Sequence, residues 1–104
     1  MIEINLAQIP NQSFSLQLNN VFYQITLRYV INLMTCTIKR DDKVVIENVR
    51  CEPNQQIIPY NYLEDGNFAF ITIDNEYPIY TRFNVDQFLV YASAEELEVS
   101  RGTV

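Results

Sequence analysis

Between Val21 and Ile46 the chain alternates apolar and polar side chains through two successive hairpins, a pattern that few folds tolerate. In the run 21–29, Tyr23, Ile25, Leu27 and Tyr29 fall on one side of an extended backbone. Gln24, Thr26 and Arg28 fall on the other. Met34, Cys36 and Ile38 repeat the pattern against Thr35, Thr37 and Lys39, and Arg40-Asp41-Asp42-Lys43 turns the chain into Val44-Val45-Ile46. A period of two belongs to a half-buried strand, whereas a helix face recurs every 3.6 residues. The chain is therefore organised around an antiparallel sheet.

The flanking sequence extends that reading. Ile2-Glu3-Ile4-Asn5-Leu6 alternates as a short strand, and Ile9-Pro10-Asn11-Gln12 breaks it, since proline lacks a ladder donor. Ser13-Phe14-Ser15-Leu16-Gln17-Leu18 is a clean strand with Phe14, Leu16 and Leu18 inward, and Asn19-Asn20 suits a two-residue hairpin turn. The link Ile31-Asn32-Leu33 is apolar for a turn, so its side chains either fold back onto the core or meet a partner. Residues 51–56 read as a polar loop, 57–63 as an extended segment around Pro59, and Glu64-Asp65-Gly66-Asn67 as a turn. The run 68–73 is apolar on both faces and reads as a central strand covered on both sides. Residues 85–91 form a last strand, and Ser93-Ala94-Glu95-Glu96 fits a capping box that starts a helix from 94 to about 99.

The expectation is an all-β fold, a single domain over residues 1–104, with about seven to eight short antiparallel strands and one short C-terminal helix. Sandwich and small barrel both satisfy the pattern. The inward set is Phe14, Leu16, Leu18, Tyr23, Ile25, Leu27, Cys36, Ile38, Phe70 and Ile71.

Composition narrows the function. The chain of 104 residues is 48% hydrophobic, enough for a core, yet holds only 2 glycines, so its turns must lean on Asn and Asp. A net charge of −6 argues against nucleic acid and against anionic membrane surfaces. The opening six residues carry an early acid and no long apolar run, which reads as no secretion signal, and no segment has the length of a membrane-spanning helix. Histidine is absent, which removes the commonest general base and, with two cysteines, most zinc designs. The acidic neighbours (Asp41 with Asp42, Glu64 with Asp65, Asp74 with Glu76, Glu95 with Glu96) sit in turns or on the helix face and read as solvated. No catalytic, cofactor-binding or metal-binding residue is expected. Cys36, on the apolar face of its strand, reads as a buried structural thiol, with both cysteines reduced.

Two features point to an assembly. Tyr60, Tyr62, Phe68, Tyr77, Tyr80 and Phe83 crowd the second half, where Pro59 and Pro78 interrupt ladder pairing. Aromatics there serve either a core or a protein interface. The chain also holds 11 Asn and 7 Gln, amides that an assembly buries without the desolvation cost of a charge. Few lysines guard the predicted strands, consistent with strands completed by neighbouring subunits.

Several segments, in order, resemble a known family. These are Ile9-Pro10-Asn11-Gln12-Ser13-Phe14, Tyr23-Gln24-Ile25-Thr26-Leu27-Arg28, Ile58-Pro59-Tyr60-Asn61-Tyr62-Leu63 ahead of Gly66-Asn67-Phe68, and Val90-Tyr91-Ala92-Ser93-Ala94-Glu95-Glu96-Leu97. Together they resemble the small baseplate plug proteins of contractile-tailed bacteriophages, named for a cyanophage baseplate. The resemblance implies a non-enzymatic structural subunit of the virion tail baseplate, assembled in the host cytoplasm. It would hold hub, tail-tube and spike proteins in register. It implies no catalytic residue and no cofactor. The alternative is a small β-barrel that binds a carbohydrate-type ligand through a tyrosine-rich surface.

Overall fold

The computed structural model describes residues 1–59 and 66–100. Seven strands form two antiparallel sheets: β1 (Ile2–Ile4), β2 (Gln12–Leu18), β3 (Val21–Val30), β4 (Leu33–Arg40), β5 (Lys43–Arg50), β6 (Asn67–Ile71) and β7 (Phe88–Ala92). A 3-10 turn (Tyr80–Arg82) precedes β7, and helix α1 (Ala94–Ser100) follows it. The larger sheet is the meander β2-β3-β4-β5, and the smaller has the order β1-β7-β6. The sheets are not closed into a barrel, so the sandwich is the form adopted.

The meander follows directly from its turns. Leu18 pairs with Val21, Val30 with Leu33, and Arg40 with Lys43, which leaves two-residue loops at all three hairpins. Both loop residues take positive φ in each: Asn19 and Asn20, Ile31 and Asn32, Asp41 and Asp42. That left-handed twist matches the twist of paired strands. With so little glycine, Asn and Asp supply the conformation, and Asn48, Asn54, Asp74, Asn75 and Asn84 do the same elsewhere. Ile31 is the exception.

The core forms where the two alternating faces meet. Tyr23, Ile25 and Leu27 of β3 and Met34, Cys36 and Ile38 of β4 are buried. They face Ile4, Phe68, Phe70, Leu89 and Tyr91 of the smaller sheet. Tyr23 joins the layers, with its ring 5.2 Å from Phe68 and 5.9 Å from Tyr91. Such aromatic pairs contribute roughly 0.5–1.5 kcal/mol beyond their area.

Two expectations are corrected. Residues 68–73 are not a central strand: β7 takes the middle of the smaller sheet because β1 pairs with its far side, and β6 lies at an edge. Phe68 and Phe70 point inward, whereas Ile71 and Ile73 are 43% and 53% exposed, so Ile71 leaves the inward set. The last strand also starts later than 85, because Val85 and Asp86 turn over the backbone of Arg82. The capping box is present, with Glu96 N donating to Ser93 Oγ and Ser93 N to Glu96 Oε1.

Side-chain amides replace missing ladder bonds where the chain leaves the sheets. Asn67 Oδ1 accepts from Ile58 N at 3.0 Å while its Nδ2 donates to Ile58 O at 2.9 Å. Asn54 grips both backbone groups of Thr72 in the same way, and Gln12 those of Ala7. Gln87, fully buried, accepts from Ile79 N and donates to Tyr77 O. An amide carries one acceptor and a donor pair, so it can stand in for a peptide group. Amides expected at an assembly surface therefore serve the fold itself at these positions.

Candidate protein interface

The aromatic residues singled out from the sequence divide by location. Phe68 and Phe83 are core residues, 1% and 0% exposed. Phe68 packs on Tyr23 and Tyr91, and Phe83 stacks on Phe70 at 5.4 Å with the rings 18° apart. Their burial corrects their assignment to a contact surface. Phe68 sits on β6, whose alternation sends it inward, and Phe83 directly follows the 3-10 turn. Ile57 and Ile58 are buried as well, so the described part of 57–70 is largely interior. Tyr60 and Tyr62 lie outside the described residues.

Tyr80 is half-buried, its ring edge-to-face with Tyr29 at 5.2 Å. Tyr77 is 48% exposed and carries the Arg50 guanidinium 4.4 Å above its ring. It sits beside an ionic cluster in which Arg82 pairs with both Glu76 and Asp86. The hydrogen bond from Arg82 Nε to Asp86 Oδ1, at 2.9 Å, holds the Asp86 carboxyl below the usual carboxylate range. The carbohydrate-binding alternative needs several exposed tyrosines together. Tyr23 and Tyr91 are core residues, and Tyr29 and Tyr80 spend part of their surface on each other.

A more informative position lies at the β3–β4 turn. Ile31 is 87% exposed and holds φ at 46°, and the preceding Val30 is 45% exposed. A β-branched residue in left-handed backbone is strained by roughly 1–2 kcal/mol. Ile31 thus carries two costs at once, strain and apolar exposure, and its side chain does not fold back onto the core. Its tip is held by local bonds: Tyr29 Oη donates to Asn32 Oδ1 at 2.9 Å, and Tyr29 N to Asn11 Oδ1 at 3.1 Å. The apolar turn was visible in the sequence; its exposure was not.

Charge is unevenly distributed. Arg28, Lys39, Arg40, Lys43 and Arg50 all lie on β3, β4 and β5, against Asp41, Asp42 and Glu47 nearby. The remainder of the chain is strongly acidic, with only Arg82 and Arg101 as basic residues. One layer of the sandwich is mildly basic and the other side acidic.

Among the described residues no His, Cys, Asp and Glu group has the arrangement of a metal site. Cys36 and Cys51 are free and buried, and the hydrogen bond between them, with burial, raises the Cys36 thiol well above its ordinary range. A thiol held protonated in this way is a poor nucleophile.

A family model described as "Cyanophage baseplate Pam3 plug gp18" matches residues 1–95. No curated protein matches the chain.

Proposed function

The chain belongs to the cyanophage baseplate plug family, and from that premise we propose that it is a non-enzymatic subunit packed between hub, tail-tube and spike proteins of a contractile tail. The observation that carries the reading is the extent of the match, which takes in every strand of both sheets. It supports a structural role in a phage baseplate. The subunit would reside in the virion tail after assembly in the host cytoplasm. Its action would be passive: a rigid wedge that keeps its neighbours in register until contraction.

The surface is consistent with such a wedge. Ile31 and Val30 give an apolar knob at one hairpin tip, suited to a pocket on a neighbouring protein. Tyr77 offers a hydroxyl and a ring edge, and Tyr60 and Tyr62 remain contact residues in this reading. The basic sheet and acidic remainder suit two partners of opposite charge, because complementary potential selects partner and register.

The test is incorporation into particles. Phage carrying Ile31→Asn with Tyr77→Ser, and separately Tyr60→Ser with Tyr62→Ser, are grown, and their tails are assayed for the subunit. The isolated variants are expected to stay folded by circular dichroism while incorporation falls at least tenfold. Normal incorporation of the first variant would remove the hairpin tip from the interface. Loss of folding in the second would place its tyrosines in the core.

A further inference from the structure

An open sheet edge is a template for another strand, and natural proteins blunt such edges with short strands, charges, bulges or covering loops. Among the described residues, three of the edges in this sandwich are treated in one of those ways. β1 is only a three-residue strand. β6 is covered by the preceding loop, where Asn54 N donates to Phe70 O at 2.8 Å and Ile57 N to Phe68 O at 2.7 Å. β5 carries Lys43, Glu47 and Arg50 and is bulged near Asn48, whose φ is 50°.

Among the described residues β2 has none of these devices. Its seven residues, Gln-Ser-Phe-Ser-Leu-Gln-Leu, pair with β3 in unbroken register and include no charge and no proline. The uncharged run extends from Ile4 to Leu27. Leu18 and Val21 flank a two-residue loop and form a hydrogen-bonded pair, as do Leu16 with Tyr23 and Phe14 with Ile25. The N–H and C=O groups of Ser13, Ser15 and Gln17 therefore point away from β3, to the open side. The bond from Tyr29 N to Asn11 Oδ1 fits this phase, since Tyr29 directs its amide toward the β2 side. The apolar side of β2 is also incompletely covered. Phe14, Leu16 and Leu18 are half-buried where their counterparts on β3 are buried, and Ile2, which lines one hollow with Leu18, is 49% exposed.

We propose that β2 pairs antiparallel with β2 of a second copy of this chain, across a two-fold axis through Ser15, joining the two larger sheets into one. Two arguments select a second copy. The first is self-complementarity. With Ser15 opposite itself, Ser13 meets Gln17 and Phe14 meets Leu16, so around the axis polar groups meet on the outer face and apolar groups on the core face, and Gln12 meets Leu18 at the strand ends. The residues then directly opposed at Ser15 and at Ser13–Gln17 are those whose main-chain groups are free to pair. The second argument is charge. Copies of net charge −6 repel, and this edge is a place where they approach without opposing charged side chains. The contact is small, so dimerisation is concentration-dependent. It closes on itself as an isologous pair and does not propagate.

The test uses the full chain in sedimentation equilibrium over a concentration series, with amide hydrogen exchange alongside. The wild type is expected to move from monomer toward dimer as concentration rises, with exchange slowing at the Ser13, Ser15 and Gln17 amides. Ser15→Pro deletes an edge-facing donor and leaves the β3 ladder intact. It should weaken association at least tenfold with unchanged circular dichroism. Should Ser15→Pro not fold, Ser15→Lys replaces it, since lysines opposed across the axis repel to the same effect. A wild type that stays monomeric into the hundreds of micromolar overturns the proposal and leaves the edge to a strand of another protein. A dimer indifferent to both variants, or one whose Ser15 amide exchanges freely, overturns it equally.

Discussion

Ile31 shows how one side chain can work against the fold that carries it. The other hairpin turns use Asn19-Asn20 and Asp41-Asp42, residues that enter left-handed backbone at small cost because their side chains bond locally. Ile31→Asn should therefore stabilise the isolated protein by about 1 kcal/mol, a rise in Tm of several degrees for a domain of this size. Thermal unfolding followed by circular dichroism would measure it; a fall in Tm would mean that the isoleucine packs usefully in the monomer. Gly66 is the converse case. Its φ is +89°, and a Cβ added there would fall inside van der Waals contact of the Tyr91 ring and hydroxyl. Gly66→Ala combines backbone strain with displacement of a core ring, and a loss of about 2 kcal/mol or more is expected in urea titration.

The elements are regular where hydrogen bonds repeat and depend on single side chains where they do not. The meander needs only alternation and turns. Among the described residues, the return from β5 to β6 follows only isolated bridges, and Asn54 and Asn67 fix it there. Asn67→Leu keeps the branched shape, with bulkier ends, but leaves the buried N–H and C=O of Ile58 without those partners. Each orphaned group costs roughly 1–3 kcal/mol. The variant is expected to lose stability on that scale, with faster exchange at the Ile58 amide. An unchanged amide would show that the segment is held by packing of Ile57 and Ile58 instead.

For the molecule as a whole, the sandwich rests on the contact between two inward faces, and Leu27 lies within it with no exposed surface. Leu27→Ala should cost about 2–5 kcal/mol, the range for deleting a buried leucine side chain. Equilibrium denaturation checks this, and a change under about half a kcal/mol would contradict the packing described here. The same two-layer arrangement leaves the β2 edge and the β3–β4 tip at the surface. An assembly subunit would meet its neighbours through features of this kind.

The sequence by itself determined the β3–β4–β5 meander and the inward residues from Phe14 to Ile38, because these depend on alternation. It marked the turns at Asn19-Asn20 and Asp41-Asp42, whose residues accept positive φ, whereas Ile31 takes that backbone against its own preference. The sequence also determined the capped helix, since Ser93 and Glu96 each bond the other's backbone N–H across only three residues. Only the tertiary structure decided which face of 68–73 is covered, because both faces are apolar and a pattern without contrast carries no direction. That ambiguity is why Ile71 and Ile73 prove exposed. The fate of the aromatics was hidden for a related reason: Phe68 and Phe83 look no different from interface residues until the sheets stack over them. Burial is a property of what lies opposite a residue, and the partners of Phe83 are contributed by distant parts of the chain.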